Sequence, residues 1–342
     1  MRARNFYGKL SQSRLLGLAQ LLIIALLPSP VVSAEPRELS QLRTHLSDNV
    51  SVSNSTVLAI HCRAAATNHA QADFDGAWQA SFGAVKSRAA DDSGGWVRRV
   101  THVELFDKKI HQKLSADIPT LLQALDGSVL TMEACDADNI TACTEQKTMG
   151  SSTSSIVKVS PRLVANICTY LNPLDLVTKL EDLRNAADKM SQSELAAQAT
   201  DLKSRSAQLV VAALLADFRY SAARLFIVAH ETAHIVFEPY SPAALNNFSR
   251  EFRADVAGNE MVILFEPEEI VDKRILPLAD ELREGMHKVM CYEGLATFLS
   301  SVEHAGFADK FTGNLPARQR RETLIAAMNK THFCEREPQP EK

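Results

Sequence analysis

The segment His230-Glu231-Thr232-Ala233-His234 has residue types and a spacing suited to hydrolytic metal chemistry. It follows the pattern H-E-x-x-H within a stretch that predicts a helix. Residues four apart on a helix share one face, with Cβ atoms about 5–6 Å apart, so both imidazoles can bind one zinc ion. Glu231 lies about 100° around the helix from His230, where it can take a proton from a zinc-bound water. We therefore predict His230 and His234 as metal ligands and Glu231 as the general base.

A second group of acidic residues follows 17 residues after His234, where Glu251 and Asp255 stand four apart on the next expected helix. A catalytic zinc uses three protein ligands and keeps one position open, so Glu251 is the expected third ligand. Asp255 on the same face can accept the free ring N–H of a ligand histidine. The alternatives are two hydrogen-bonded histidines inside a buried helix and a solvated acidic helix face. The combination of both motifs favours the metal site.

These two motifs together resemble those of the gluzincin metallopeptidases. The E-x-x-A-D form of the second motif, from Glu251 to Asp255, is similar to that of the HtpX/Oma-like group. The resemblance implies a zincin-like α+β fold in which His230, His234 and Glu251 bind zinc, Glu231 is the base and Asp255 orients His230. It also implies an upstream edge strand that pairs with an extended substrate, for which Ile156 to Ser160 is the expected equivalent.

The elements that must position these residues divide the chain into two parts, 35–200 and 201–342. The residue pattern of the first part predicts a mixture of strands and helices, and this part could include a propeptide. The second part is expected to be mainly helical, so the chain is expected to belong to the α+β class. A capping box at Ser191 and Glu194 precedes a long segment, Leu202 to Phe237, that lacks Gly and Pro and predicts the ligand helix. Upstream we expect strands at Thr56–Cys62, Trp96–Phe106, Ser128–Met132 and Ile156–Val159, a helix at Ile110–Leu125, a polar exposed loop at Asp136–Ser155, and a helix or linker at Glu35–Asp48.

The amino terminus predicts a secretory signal peptide. A basic stretch ends at Arg14, an apolar run of 13 residues extends from Leu15 to Leu27, and a small-residue cleavage pattern ends at Ala34. An uncleaved anchor is the alternative, although the apolar run is shorter than the about 18–20 residues that cross a bilayer. We expect cleavage after Ala34, export to the periplasm or outside, and no stable membrane span thereafter.

All six cysteines lie after residue 34: Cys62, Cys135, Cys143, Cys168, Cys291 and Cys334. An oxidising compartment permits disulfides, and an even count permits three of them. Cys135 and Cys143 flank a short polar segment and are the first expected pair. A zinc cluster of thiolates is the weaker alternative, because the chain has no C-x-x-C pair.

Composition limits the classes of partner. The chain has 342 residues, of which 46% are hydrophobic and 23% charged, and this composition is typical of a folded protein. Residues 1–34 hold four basic and no acidic side chains, so the remainder has 33 basic and 41 acidic ones, a net charge of −8. Such a charge disfavours nucleic acid as a partner. We expect an exported zinc metallopeptidase acting on a protein or peptide; the alternative is a zinc-containing binding protein without turnover.

Overall fold

The computed structural model describes residues 36–67, 70–91, 96, 99–100, 108–135, 142–149, 152–240, 247–265, 283–304 and 322. These residues are mostly helical and include a three-stranded mixed sheet, so the expected α+β class is confirmed. In chain order the elements are α1 (Pro36–Asn54), α2 (Val57–Thr67), α3 (Ala70–Asp91), α4 (Lys108–Asp126), β1 (Val129–Thr131), β2 (Ala142–Met149), β3 (Ser152–Val159), α5 (Pro161–Leu171), α6 (Pro173–Lys189), α7 (Gln192–Phe237), α8 (Asn247–Val262) and α9 (Arg283–His304).

The chain forms two compact units, one from 1–60 with 172–217 and the other from 61–171 with 218–342. In the first, α1 and α6 pack together with the beginning of α7 around a leucine core that includes Leu42, Leu46, Leu183 and Leu195. Apolar side chains at helical spacing produce this core. Residue 200, the boundary expected from the sequence, lies inside α7.

The amino-terminal end of α7 is closed by the predicted capping box. The backbone N–H of Ser191 donates to Oε2 of Glu194 at 2.9 Å, and the backbone N–H of Glu194 donates to Oγ of Ser191 at 3.3 Å. These bonds satisfy N–H groups that have no partner within the helix. From this cap α7 continues unbroken for 46 residues.

The sheet lies in the second unit, with strand order β1-β3-β2. β1 pairs parallel to β3, and β2 pairs antiparallel to β3. Val157 and Val159 of β3 are fully buried, as are Leu163 and Ile167 of the following helix α5. The predicted helix at Ile110–Leu125 and strands at Ser128–Met132 and Ile156–Val159 are confirmed as α4, β1 and the end of β3.

The strand predicted at Thr56–Cys62 is wrong, because this segment begins helix α2. Thr56 is the N-cap: its Oγ1 accepts a hydrogen bond from the backbone N–H of Ala59 at 3.2 Å. The buried residues Leu58, Ala59 and Cys62 follow a helical rather than an alternating pattern. β-branched residues favour strands only weakly, and the cap with the following alanines overrides that preference.

The exposed loop predicted at Asp136–Ser155 is also wrong where the structure describes it, because β2 and the first half of β3 occupy this segment. β2 is an outer strand of the sheet, and its side chains do not need to be buried on both faces. The polar residues of this segment are therefore compatible with a strand as well as with a loop. Within the strand predicted at Trp96–Phe106, the three described residues, Trp96, Arg99 and Val100, are helical; the others lie outside the described residues.

Two disulfides are formed among the described residues. Cys135–Cys143 confirms the expected local pair, and Cys62–Cys168 joins α2 to α5 across 106 residues. A cross-link closing so long a loop restricts the unfolded chain strongly. The side chains of Cys291 and Cys334 lie outside the described residues. Within the described ranges, no helix combines the length and the apolar character that a membrane span requires.

Candidate metal centre

The H-E-x-x-H motif lies near the carboxyl end of α7, as expected. Phe226, Val228, Ala229 and Ala233 surround it on the helix and are almost completely buried, so the motif is fixed in the core of the second unit. Thr232 is equally buried and donates its hydroxyl to the carbonyl of Val228 at 2.8 Å. The rigid helix therefore holds both histidines on one side.

The structure brings the three expected ligands together. Nε2 of His230 lies 3.2 Å from Nε2 of His234 and 3.3 Å from Oε2 of Glu251. Nε2 of His234 lies 3.6 Å from Oε1 of Glu251. One donor atom from each residue falls within 4.8 Å of the others.

These separations fit a tetrahedral ion. Donor atoms about 2.0–2.1 Å from zinc at tetrahedral angles stand about 3.3–3.4 Å apart. The two imidazole nitrogens are close to that separation at 3.2 Å, and Glu251 faces them with its two oxygens, Oε2 at 3.3 Å from His230 and Oε1 at 3.6 Å from His234. Two imidazole nitrogens and one carboxylate oxygen are a donor set that zinc accepts. The residues present therefore have the atoms and the spacing to hold a metal ion.

Asp255 contacts His230 on the opposite side of the ring. Its Oδ1 lies 2.9 Å from Nδ1 of His230, within hydrogen-bond distance although at an angle outside the standard range, and Asp255 is completely buried. Burial lowers the pKa of His230, but Asp255 and Glu251 outweigh burial and raise that pKa to about 10. The two carboxylates thus favour positive charge at this point, which a bound cation would also supply.

Helix α8 packs closely against the motif, and two polar contacts join it to Trp96 and Arg99. A Cβ at Gly258 would lie 3.1 Å from the backbone nitrogen of His230, a tight contact, so glycine at this position favours the close approach of the two helices. The indole N–H of Trp96 donates to the carbonyl of Ala257 at 2.9 Å, and Nε of Arg99 donates to Oε2 of buried Glu260 at 2.6 Å. Glu251 and Asp255 are presented from the same helix.

Glu231 lies beside the ligand group and is 95% buried. Its Oε1 is 4.0 Å from Nε2 of His230, and its Oε2 accepts a hydrogen bond from Oγ1 of Thr144 at 3.0 Å. Burial raises the pKa of Glu231, and the nearby His230 and His234 partly offset that rise. A carboxylate with a raised pKa is suited to accepting a proton.

Two residues at the site were missed by sequence reasoning. Glu238 places Oε2 3.5 Å from Nδ1 of His234, while its Oε1 is 3.2 Å from Nη1 of Arg250. The hydrogen bond to His234 lowers the pKa of Glu238. Its spacing of four from His234 was a usable local signal. Thr144 is 87 residues from Glu231 and offered no such signal.

We predict that Asp255→Asn weakens metal binding about 10- to 100-fold, the range for losing the partner of a ligand histidine. The amide keeps the size of the side chain but loses the charge beside Nδ1 of His230. Competition titration with a zinc chelator measures the change. Equal zinc affinity in wild type and Asp255→Asn would show that the contact does not support the ligand.

The substrate-edge strand expected at Ile156–Ser160 is wrong. β3 is the central strand of the described sheet, with β1 on one side and β2 on the other. Sequence order does not determine which strand is outermost. Tyr240, His287, Tyr292, His304 and Arg320 carry side chains with the chemistry of oxyanion donors. Of these, the ring of His304 lies beside that of Tyr170, with 6.0 Å between the ring centroids. The side chains of the other four lie outside the described residues.

Comparisons with models of protein families, with curated proteins and with solved structures find no match to this chain.

Proposed function

We propose that this protein is an exported zinc metallopeptidase that hydrolyses peptide bonds in a protein or peptide substrate. The observation that carries the proposal is the convergence of His230, His234 and Glu251 on one point, with buried Glu231 beside them. A group built only to hold a structural ion closes its fourth position with another ligand. Here three ligands are accompanied by a carboxyl group placed for acid–base work.

The chain's own residues supply binding, orientation and proton transfer. His230, His234 and Glu251 hold the ion, with Asp255 and Glu238 contacting the outer nitrogens of the two rings. When bound, zinc supplies Lewis-acid polarisation of the scissile carbonyl and lowers the pKa of a coordinated water. Glu231 accepts the proton of the attacking water on its carboxylate and delivers it to the leaving amine, so that its charge is restored after each turnover.

Support for a gluzincin-type assignment comes from the two helices and their residues. The H-E-x-x-H motif lies on α7, and α8 supplies Glu251 and Asp255 from successive turns, as in the motif pattern of the HtpX/Oma-like group. A small sheet adjoins the motif helix through Thr144. We therefore propose a zincin-like arrangement for the second unit.

We further propose that an extended substrate pairs with β2. This outer strand reaches Glu231 through Thr144, and one edge of β2 is not used by the other described strands. An outer strand offers a row of backbone hydrogen-bonding groups to an extended peptide. β2 thus takes the role that the sequence had assigned to Ile156–Ser160.

Export is supported by the disulfides. Cys62–Cys168 and Cys135–Cys143 require an oxidising environment to form and persist. Together with the signal-like segment that ends at Ala34, they support a location in the periplasm or outside the cell.

Removal of the metal tests the proposed function. Treatment of the disulfide-bonded protein with a chelator is expected to abolish cleavage of an unfolded protein substrate, and stoichiometric zinc is expected to restore it, because the three ligands remain in place. Rates are measured by fluorescence of a labelled substrate, with magnesium as the control ion. Cleavage that persists in metal-free protein would exclude a metallopeptidase.

A further inference from the structure

The carboxyl group of Glu231 is contacted by a hydroxyl from another element, Thr144 of β2. Oγ1 of Thr144 lies 3.0 Å from Oε2 of Glu231 and 2.9 Å from the backbone carbonyl oxygen of the same residue. A hydroxyl has one hydrogen to donate, so these two oxygens of Glu231 compete for it. The contact links the sheet to the side chain and the backbone of the motif residue.

The two carboxylate oxygens of Glu231 have different surroundings. Oε2 is bound by Thr144, whereas Oε1 lies on the side of the ligand group, 4.0 Å from Nε2 of His230. The terminal torsion of a glutamate is broad and permits rotation of the carboxylate. A hydrogen bond to one oxygen therefore decides which oxygen faces the position that a metal ion and its water would take.

Thr144 itself is held on both sides along β2. Its backbone pairs with Val157 of the central strand. The preceding residue, Cys143, is joined to Cys135 by a disulfide, and the following residue, Glu145, forms an ion pair of 2.6 Å with Lys158. Because the pairing with the central strand and the disulfide hold this part of β2, the hydroxyl is placed before any substrate binds, as a positioned catalytic group requires.

We infer that Thr144 is a positioning residue for the general base, holding Oε2 of Glu231 so that Oε1 is directed at the metal position. This inference rests on the proposed function. Thr144 acts through Glu231, so it adds a role for the sheet that neither sequence motif contains. A hydroxyl can also accept a hydrogen bond, so the contact persists while Glu231 carries the transferred proton.

The test compares Thr144→Val, which removes the hydroxyl at nearly constant shape, with Thr144→Ser, which retains it. In the zinc-loaded, disulfide-bonded protein, Thr144→Val is expected to lower kcat roughly 10- to 100-fold, the effect of losing a hydrogen bond to a charged group. KM and zinc stoichiometry are expected to stay unchanged. Thr144→Ser is expected to keep most of the activity.

Thr169→Val is the matched control. Thr169 lies exposed on α5, where its hydroxyl donates to the carbonyl of Ala165. The same change of atoms at this position is expected to leave kcat at the wild-type value. A kcat loss in Thr169→Val equal to that in Thr144→Val would contradict a specific role for Thr144.

A second readout does not depend on activity. Thr144→Val, Glu231→Ala and the double variant, all metal-free, form a double-mutant cycle in which the free energy of unfolding is measured by denaturant titration. We expect the two changes to be non-additive, because either one breaks the same hydrogen bond. Additive changes would show that the side chains are not coupled and would overturn the inference.

The outcomes separate this inference from the proposed function. Full kcat in Thr144→Val, beside an active wild type and an inactive Glu231→Gln, overturns the positioning role and leaves the peptidase intact. An equal loss of kcat in Thr144→Val and Thr144→Ser, accompanied by loss of zinc, would indicate a structural role for Thr144. That result would also overturn the positioning role. A zinc-loaded wild type that cleaves nothing overturns both proposals.

Discussion

Replacing Glu231 by Gln is expected to abolish hydrolysis while zinc remains bound. The amide keeps the size of the side chain and can still accept the hydrogen bond from Thr144, but it cannot accept the proton of the attacking water. General-base catalysis contributes about 10²- to 10⁴-fold in rate, so the loss of kcat should be at least about 100-fold. Initial rates on a labelled peptide, beside zinc analysis of the same sample, measure both effects.

Glu38→Gln is the control for this change, because Glu38 is exposed in the first turn of α1, in the other compact unit. It is expected to retain full activity and full zinc content. Wild-type activity in Glu231→Gln would exclude Glu231 as the base, and loss of zinc in that variant would instead place it among the ligands.

The second large effect is expected on metal binding when a ligand is removed. Glu251→Ala and His234→Ala each delete one of the three metal-binding groups. Each should therefore weaken zinc binding more than Asp255→Asn does, for which the expected loss is about 10- to 100-fold. Zinc content after dialysis should fall accordingly. A ligand present at about 1,000 times its dissociation constant stabilises the folded state by about 4 kcal/mol, and this zinc-dependent stabilisation should also be lost.

Thermal unfolding with and without a chelator checks the loss. We expect the wild type to unfold at a lower temperature after chelation, and we expect Glu251→Ala to be insensitive to the chelator. Glu38→Ala, the same change at an exposed position, should behave as the wild type. Undiminished zinc affinity in Glu251→Ala would remove this residue from the ligand group.

Local sequence patterns predicted much of the site's surroundings. The spacing of His230 and His234 and that of Glu251 and Asp255 depend only on helical periodicity, and the structure places both pairs on helices that meet. The capping box at Ser191 depends on two residues three positions apart and could be predicted in the same way. The class of fold followed from the same kind of short-range pattern.

Contacts between distant segments were beyond these patterns. Thr144 reaches Glu231 from a strand that the sequence suggested was a loop, because its polar residues gave no sign of pairing with β3. The order of strands, which puts β3 in the centre, follows from tertiary packing rather than from local preference. The helical start of α2 was missed because one capping threonine and a run of alanines outweighed the β-branched residues.

We propose that the group of His230, His234, Glu251 and Glu231 breaks peptide bonds. Mass spectrometry of a mixed peptide library, incubated with the zinc-loaded protein and in parallel with Glu231→Gln, tests it most directly. We predict new peptide termini in the wild-type sample and none in the variant. Stoichiometric zinc in a correctly disulfide-bonded wild type, without a single new terminus, would contradict the claim and favour a zinc-containing binding protein.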